Sequence, residues 1–102
     1  MSELDNVKEF IEQAVETNTK AVEMQMSFYE SFSRRQGEAM AKLADQRIDS
    51  LKEIANCGSF EKAIETNTAF EQQAKENLEA LFNSNVKAFE EFSDSLKTVY
   101  TV

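Results

Sequence analysis

Apolar residues return along this chain at a fixed interval of 11. In the first half Phe10, Ala21, Phe32, Leu43 and Ile54 form one row, and Val7, Asn18, Tyr29, Met40 and Leu51 run beside it. The second half repeats the arrangement. Phe70, Leu81 and Phe92 make one row there, and Asn67, Leu78, Phe89 and Tyr100 the other. Eleven residues in three turns is 3.67 per turn, the period of a nearly straight or slightly right-handed helix pair. A seven-residue register fits less well, because it would put Asn18, Gln25, Arg35 and Lys42 on the seam. The strongest interruption is "NCGSF" at 56–60. Gly58 there offers a left-handed helix end, and Ser59 offers a cap for a second helix with Glu61 in its first turn. The pattern therefore predicts helices over residues 3–56 and 60–100, a turn at 57–59, and an antiparallel arrangement. The expected fold class is all-α, an elongated, coiled-coil-like antiparallel helical hairpin of one domain (1–102) that assembles into an oligomeric bundle.

The apolar arc is wider than a two-helix seam requires. Ile11, Ala14, Val22, Phe28 and Ala39 broaden it in the first helix, and Ala63, Ile64, Ala74, Phe82 and Leu96 in the second. Two helices facing only each other would leave much of that arc wet, so another copy, a partner or an apolar surface is expected to cover it. Phe has no polar handle and gains most from complete burial. Phe10, Phe28, Phe32, Phe70, Leu78, Leu81, Phe82, Phe89 and Phe92 are accordingly the candidate binding residues, with "LFNSNVKAFEEF" at 81–92 the expected exposed element.

One tetrapeptide, ETNT, occurs in both helices, in "EQAVETNTKA" at 12–21 and "EKAIETNTAF" at 61–70. Thr and Asn are middling to poor helix formers, so propensity does not choose them. Asn18 and Asn67 fall on the apolar stripes, flanked by Thr17 and Thr66. A polar register device, in which a buried amide penalises wrong pairings, is the expected role; an inherited duplication and a ligand-binding amide are the alternatives. Gly37 reads as a bend, a local break or a point of close packing in the first arm, and the run Asn83, Ser84, Asn85 weakens the second, leaving open whether the arms are continuous there.

Composition agrees with a helical chain, since it has no Pro and two Gly. Its 19 acidic and 11 basic residues leave a formal charge of −8, shared by both halves. No basic run exists to neutralise phosphates, which argues against DNA, RNA and anionic lipid. Cys57 is the one cysteine and can form no internal disulfide. The start "MSELDNVKEF" has neither a basic n-region nor an apolar h-region, and no apolar run reaches the roughly 20 residues that span a bilayer. A cytoplasmic protein is the expectation.

Catalytic chemistry is hard to place here. The chain has no His, so the usual general base and commonest metal ligand are missing, as is the Glu-x-x-His pair of di-iron bundles. Glu90, Glu91 and Asp94 read as a charged outer face, Cys57 has no His to activate it, and no Gly-rich phosphate loop occurs. No catalytic, cofactor-binding or metal-binding residue is expected, and the chain reads as a non-enzyme.

Over residues 7–100 the sequence resembles the phasin family, the small coat proteins of bacterial polyhydroxyalkanoate granules. The likeness rests on "FIEQAVETNTKAVEMQMSFYESF" followed by "SRRQGEAMAKLADQRIDSLKEIANCGSFEKAIETNTAFEQQAKENLEALFNSNVKAFEEF". In that pattern a Phe opens an Ala- and Asn-containing helix, and a Gly–Ser–aromatic break leads into a second one. The resemblance implies a non-catalytic protein on the surface of cytoplasmic storage granules that adsorbs to the hydrophobic polyester (polyhydroxybutyrate, for example) and limits coalescence. It also implies self-association and contact with the polymer synthase. The candidate residues named above would then form a polymer-binding surface. The alternatives are a cytoplasmic helical adaptor or chaperone-like interaction module, and an apolipoprotein-like coat for neutral lipid droplets.

Overall fold

A computed structural model describes residues 2–100. Two helices make up the fold, α1 over Glu3–Asn56 and α2 over Phe60–Tyr100. Among the described residues there is no strand, and the bounds are those that the apolar period and the "NCGSF" interruption predict. At the start of α1 the Asp5 N–H donates to the Ser2 carbonyl at 3.1 Å and approaches Ser2 Oγ at 3.4 Å. Glu3 and Asp5 lie in that first turn, where acidic side chains complement the helix dipole.

The connection is made by three residues. The Cys57 N–H donates to the Ile54 carbonyl at 3.3 Å, and the Cys57 thiol sits 3.0 Å from the same oxygen. Ser59 caps α2, accepting the Lys62 N–H on its Oγ at 3.2 Å and the Ala63 N–H on its carbonyl at 3.2 Å. The left-handed closure expected at Gly58 does not occur, since no described residue has a positive φ. A cysteine whose backbone and thiol both reach the last carbonyls does that work instead.

Neither expected break occurs. α1 continues unbroken through Gly37, where an added Cβ would meet nothing within 4 Å, so this glycine does not answer close packing. α2 continues through Asn83–Asn85 because Asn85 is turned toward α1, where its amide is bonded at both ends.

Cα packing divides the chain into two antiparallel helix pairs. The turn pair spans Phe32–Val86; the terminal pair joins residues 2–31 to 87–100. In the turn pair the sheltered positions of α1 are Phe32, Arg35, Ala39, Leu43, Gln46, Ser50, Ile54 and Cys57, a 4–4–3 spacing that closes every 11 residues. α2 answers with Ala63, Thr66, Phe70, Ala74, Asn77, Leu81 and Asn85 on the same spacing. In the terminal pair Thr17, Ala21, Met24 and Phe28 face Ala88, Phe92, Leu96 and Val99.

The 11-residue period is thus physically present, but its two rows have different fates. Ala21, Phe32, Leu43 and Ile54 are sheltered, as are Phe70, Leu81 and Phe92. Their predicted companions Val7, Asn18, Tyr29, Met40 and Leu51 are exposed, as are Leu78, Phe89 and Tyr100. Phe10 is exposed too, because every residue from Ser2 to Glu16 lies in the open. What lies between the helices is mixed: Phe32, Leu43, Ile54, Phe70 and Leu81 alternate with small and polar residues such as Ala39, Ser50, Ala74 and Asn77. The only described residues under a tenth exposed are Ala21 and Ser50, at 4% and 7%.

Candidate functional site

A helix with 11 residues in three turns spreads its positions evenly around the axis, so each row keeps one direction. On one flank of α1 lie Val7, Tyr29, Met40 and Leu51, then Ile11 and Val22, then Leu4, Val15, Met26 and Ile48, all exposed. These rows hold no charged residue; Glu3 and Arg47 stand in the adjoining row toward the seam, and Lys8, Glu30 and Lys52 in the adjoining row on the outer side. The other flank carries Glu16, Glu38 and Asp49, then Glu12, Glu23 and Asp45, with Lys20 and Glu16 paired at 3.5 Å. α2 is divided the same way. Leu78, Phe89 and Tyr100, with Phe60 and Phe82 and with Ile64 and Val86, occupy one flank, interrupted by Glu71, Lys75 and Lys97 in the same rows; Glu65, Glu76 and Glu91 stand on the other.

Hydrogen bonds within the turn pair show how these flanks are matched. Arg47 borders the α1 row of Met40 and Leu51, and Asn67 belongs to the α2 row of Leu78. The Arg47 Nη1–H donates to Asn67 Oδ1 at 2.9 Å, and the guanidinium lies 4.7 Å from the Phe70 ring centroid. The apolar flanks of both helices therefore lie on one side. At the opposite edge Asn77 Nδ2 donates to Gln46 Oε1 at 2.9 Å. A groove of about 250 Å³ opens there beside Glu38, Lys42, Ala80 and Ser84. Through the middle, Arg35 Nε–H donates to Asn85 Oδ1 at 2.9 Å while Asn85 Nδ2 donates to Gln36 Oε1 at 3.0 Å. The seam is zipped by amides and guanidinium groups. On the same side as the Arg47–Asn67 bond, an open depression of about 680 Å³ runs along α2 between Phe70 and Phe82, past Ala74 and Leu78 and bordered by Glu71, Lys75 and Glu79.

The terminal pair is joined differently. Phe28 stacks on Phe92 with centroids 4.7 Å apart and meets Phe89 edge-on at 6.2 Å. Farther along, Phe10, Ala14, Thr17 and Asn18 enclose a cleft of about 270 Å³ with Val99 and Tyr100. Asn18 and Tyr100 belong to the exposed rows, so this pair also brings its two apolar flanks to one side.

The candidate residues separate into two groups. Leu78, Phe82 and Phe89 are exposed on the apolar flank of α2 and Phe10 is exposed at the terminal cleft, in the row that elsewhere faces inward, while Phe28, Phe32, Phe70, Leu81 and Phe92 are half-buried in the seams. The duplicated asparagines also part. Asn67 is half-buried and bonded to Arg47, and it donates to Glu71 at 3.2 Å. Asn18 is exposed at the cleft, and Thr17 takes the inward position. Sequence reasoning missed the polar seam: Arg35, Gln36, Gln46, Arg47, Asn77 and Asn85. The signal was present, because Arg35, Gln46 and Cys57 keep the 11-residue interval, as do Ala63, Ala74 and Asn85. Polar members hid those rows from a search for apolar ones.

Among the described residues no three His, Cys, Asp or Glu side chains are grouped to hold a metal ion, and no helix is long and apolar enough to cross a membrane. No protein-family model, curated protein or solved structure matches this chain.

Proposed function

We propose that this chain is a non-catalytic coat protein of polyhydroxyalkanoate granules in the cytoplasm, of the phasin kind that its sequence resembles. One observation carries the reading: large apolar side chains such as Met40, Leu78, Phe82 and Phe89 stand exposed on one flank, while Phe28, Phe32, Phe70, Leu81 and Phe92 are no more than half-buried in the seams. A chain that needed its Phe and Leu only for its own core would turn them all inward. Phe82 and Phe89 are instead 67% and 57% exposed. Covering a half-exposed Leu or Phe contributes on the order of 1 kcal/mol, so several together hold the chain to an apolar surface.

That surface is uncharged in this reading. Helices that bind anionic bilayers add a band of Lys and Arg to capture headgroups; the bases on these flanks, such as Arg47 and Lys75, are scattered and offset by acids such as Glu71. The acidic flanks face away from the polymer and give coated particles a mutual repulsion that salt screens. Self-association covers the same flanks in solution and competes with adsorption, and the polymer synthase is a further partner under this reading.

Sedimentation of the purified chain with polyhydroxybutyrate particles, polystyrene beads and anionic liposomes tests the proposal. Uptake by the polyester and the beads with none by the liposomes supports it. Failure to bind the polyester overturns it. Phe82→Asp and Phe89→Asp each weaken adsorption by about tenfold or more, the loss of some 1.4 kcal/mol, whereas Glu91→Ala leaves it unchanged.

A further inference from the structure

We infer that the outer flank of α2 receives a second copy of the chain, docked antiparallel about a two-fold axis midway between Glu71 and Lys75. The inference deepens the self-association named in the coat reading and rests on that part of it, not on the polymer. Its basis is a symmetry in the flank itself. Phe60, Glu71 and Phe82 form one row there, and Ile64, Lys75 and Val86 form the next. Before Glu71, Ile64 lies 7 residues away and Phe60 lies 11. After Lys75, Phe82 lies 7 away and Val86 lies 11. The flank reads alike from either end, except that the charge changes sign across its middle.

A two-fold axis makes such a pattern complementary to itself. It sets Glu71 against Lys75 of the second copy, and Lys75 against its Glu71. Phe60 then meets Val86 and Ile64 meets Phe82, once on each side of the charged centre. Positions 11 residues apart keep one direction on the helix, so all six face the same way. Each of the six is exposed in the single chain, and all lie within the turn pair. The neighbouring rows agree, because Thr68 falls beside Glu79 of the second copy and Asn67 beside its Leu78, so no like charges meet. Charge selects this occupant. A parallel copy would set Glu71 on Glu71 and Lys75 on Lys75, and a surface of one sign would repel one of the two. Only the antiparallel copy answers both.

Sedimentation equilibrium of the full chain measures the association. The chain is expected to self-associate, and one that stays monomeric at high micromolar concentration overturns the inference. Glu71→Lys and Lys75→Glu are each expected to weaken association about tenfold or more, with helix content by circular dichroism unchanged, because like charges then meet at the centre. An equimolar mixture of the two variants is expected to restore it, since their centres are complementary again. Unchanged association in the single variants overturns the face. Weakening without rescue in the mixture overturns the antiparallel pairing. Cysteine cross-linking reads the orientation without altering a charge. In a Cys57→Ser background, chains carrying Ile64→Cys are mixed with chains carrying Phe82→Cys and oxidised, and disulfides between unlike chains are expected to predominate. A preference for linking like chains shows a parallel pair and overturns the two-fold. Sedimentation with particles decides polymer binding separately. A chain that associates in this way but ignores polyhydroxybutyrate loses the coat reading and keeps the interface; one that coats the particles yet never self-associates does the reverse.

Discussion

The turn pair and the terminal pair use one 11-residue spacing and reach opposite chemistry at the seam. In the turn pair the cross-helix bonds are Arg47–Asn67, Gln46–Asn77 and the Arg35–Asn85–Gln36 chain. In the terminal pair the contacts are rings, Phe28 against Phe92 and Phe89. A polar seam defines register sharply, because a slip of one position leaves several half-buried amides unbonded. A ring cluster defines it loosely, since apolar contacts tolerate small displacements. About half of α1 in the terminal pair, residues 3–16, is exposed throughout. The comparison teaches that a period sets which residues share a direction, while side-chain chemistry decides how firmly the partner is held there.

The largest effect expected is on the terminal pair. Phe28→Ala removes the ring at the centre of its cluster and costs about 2–3 kcal/mol, the low end for a Phe truncation because the site is half-buried. Hydrogen exchange should then accelerate in residues 87–100 and near Phe28, with the turn pair unchanged. Equal acceleration in both pairs would show that they are one cooperative unit.

Next comes the polar seam. Arg47→Ala should cost about 1–2 kcal/mol in urea unfolding, since it strips Asn67 of its partner and Phe70 of the cation above its ring. A double-mutant cycle with Asn67→Ala should return a coupling of about 0.5–1.5 kcal/mol. The matching substitution Asn18→Ala, at the exposed copy of ETNT, should change stability by less than about 0.5 kcal/mol. A similar cost at both asparagines would refute the distinction drawn between the two copies.

Smaller still is the cap. Ser59→Ala removes the acceptor of the Lys62 N–H and should lower stability by about 1 kcal/mol. The smallest effect has the opposite sign. Gly37→Ala adds a Cβ to open space in a helix interior and should stabilise by up to about 1 kcal/mol; a loss of stability there would mean that the glycine serves contacts beyond this chain.

Much of this was legible without coordinates. The bounds of α1 and α2 follow from an uninterrupted period on either side of "NCGSF", and Ser59 was recognisable as a cap because few residue types satisfy an exposed helix start. The surplus of apolar surface was legible as well, since the arc is wider than two helices can cover between them. Other features were not. Cys57 replaces the left-handed glycine as the closing device, and a thiol reaching two carbonyls has no sequence signature. Asn85 looked like a helix breaker until its amide was placed between Arg35 and Gln36. The seam itself was misassigned in part, because ranking rows by hydrophobicity puts Leu78 and Phe89 ahead of Thr66 and Asn77.

The sequence alone determined the helical state, the place of the turn and the repeat of 11. These depend on local propensity and on the angle between successive residues, which every helix shares. It did not determine the phase of the repeat, meaning which rows face the partner helix. That choice belongs to the tertiary structure. Small residues such as Ala39, Ser50, Ala63 and Ala74 let the two backbones approach, and Gln46, Asn77, Arg47 and Asn67 find partners only across the gap. Bonds between residues distant in sequence, and not the oiliness of any one row, decide which face is hidden and which is left outside.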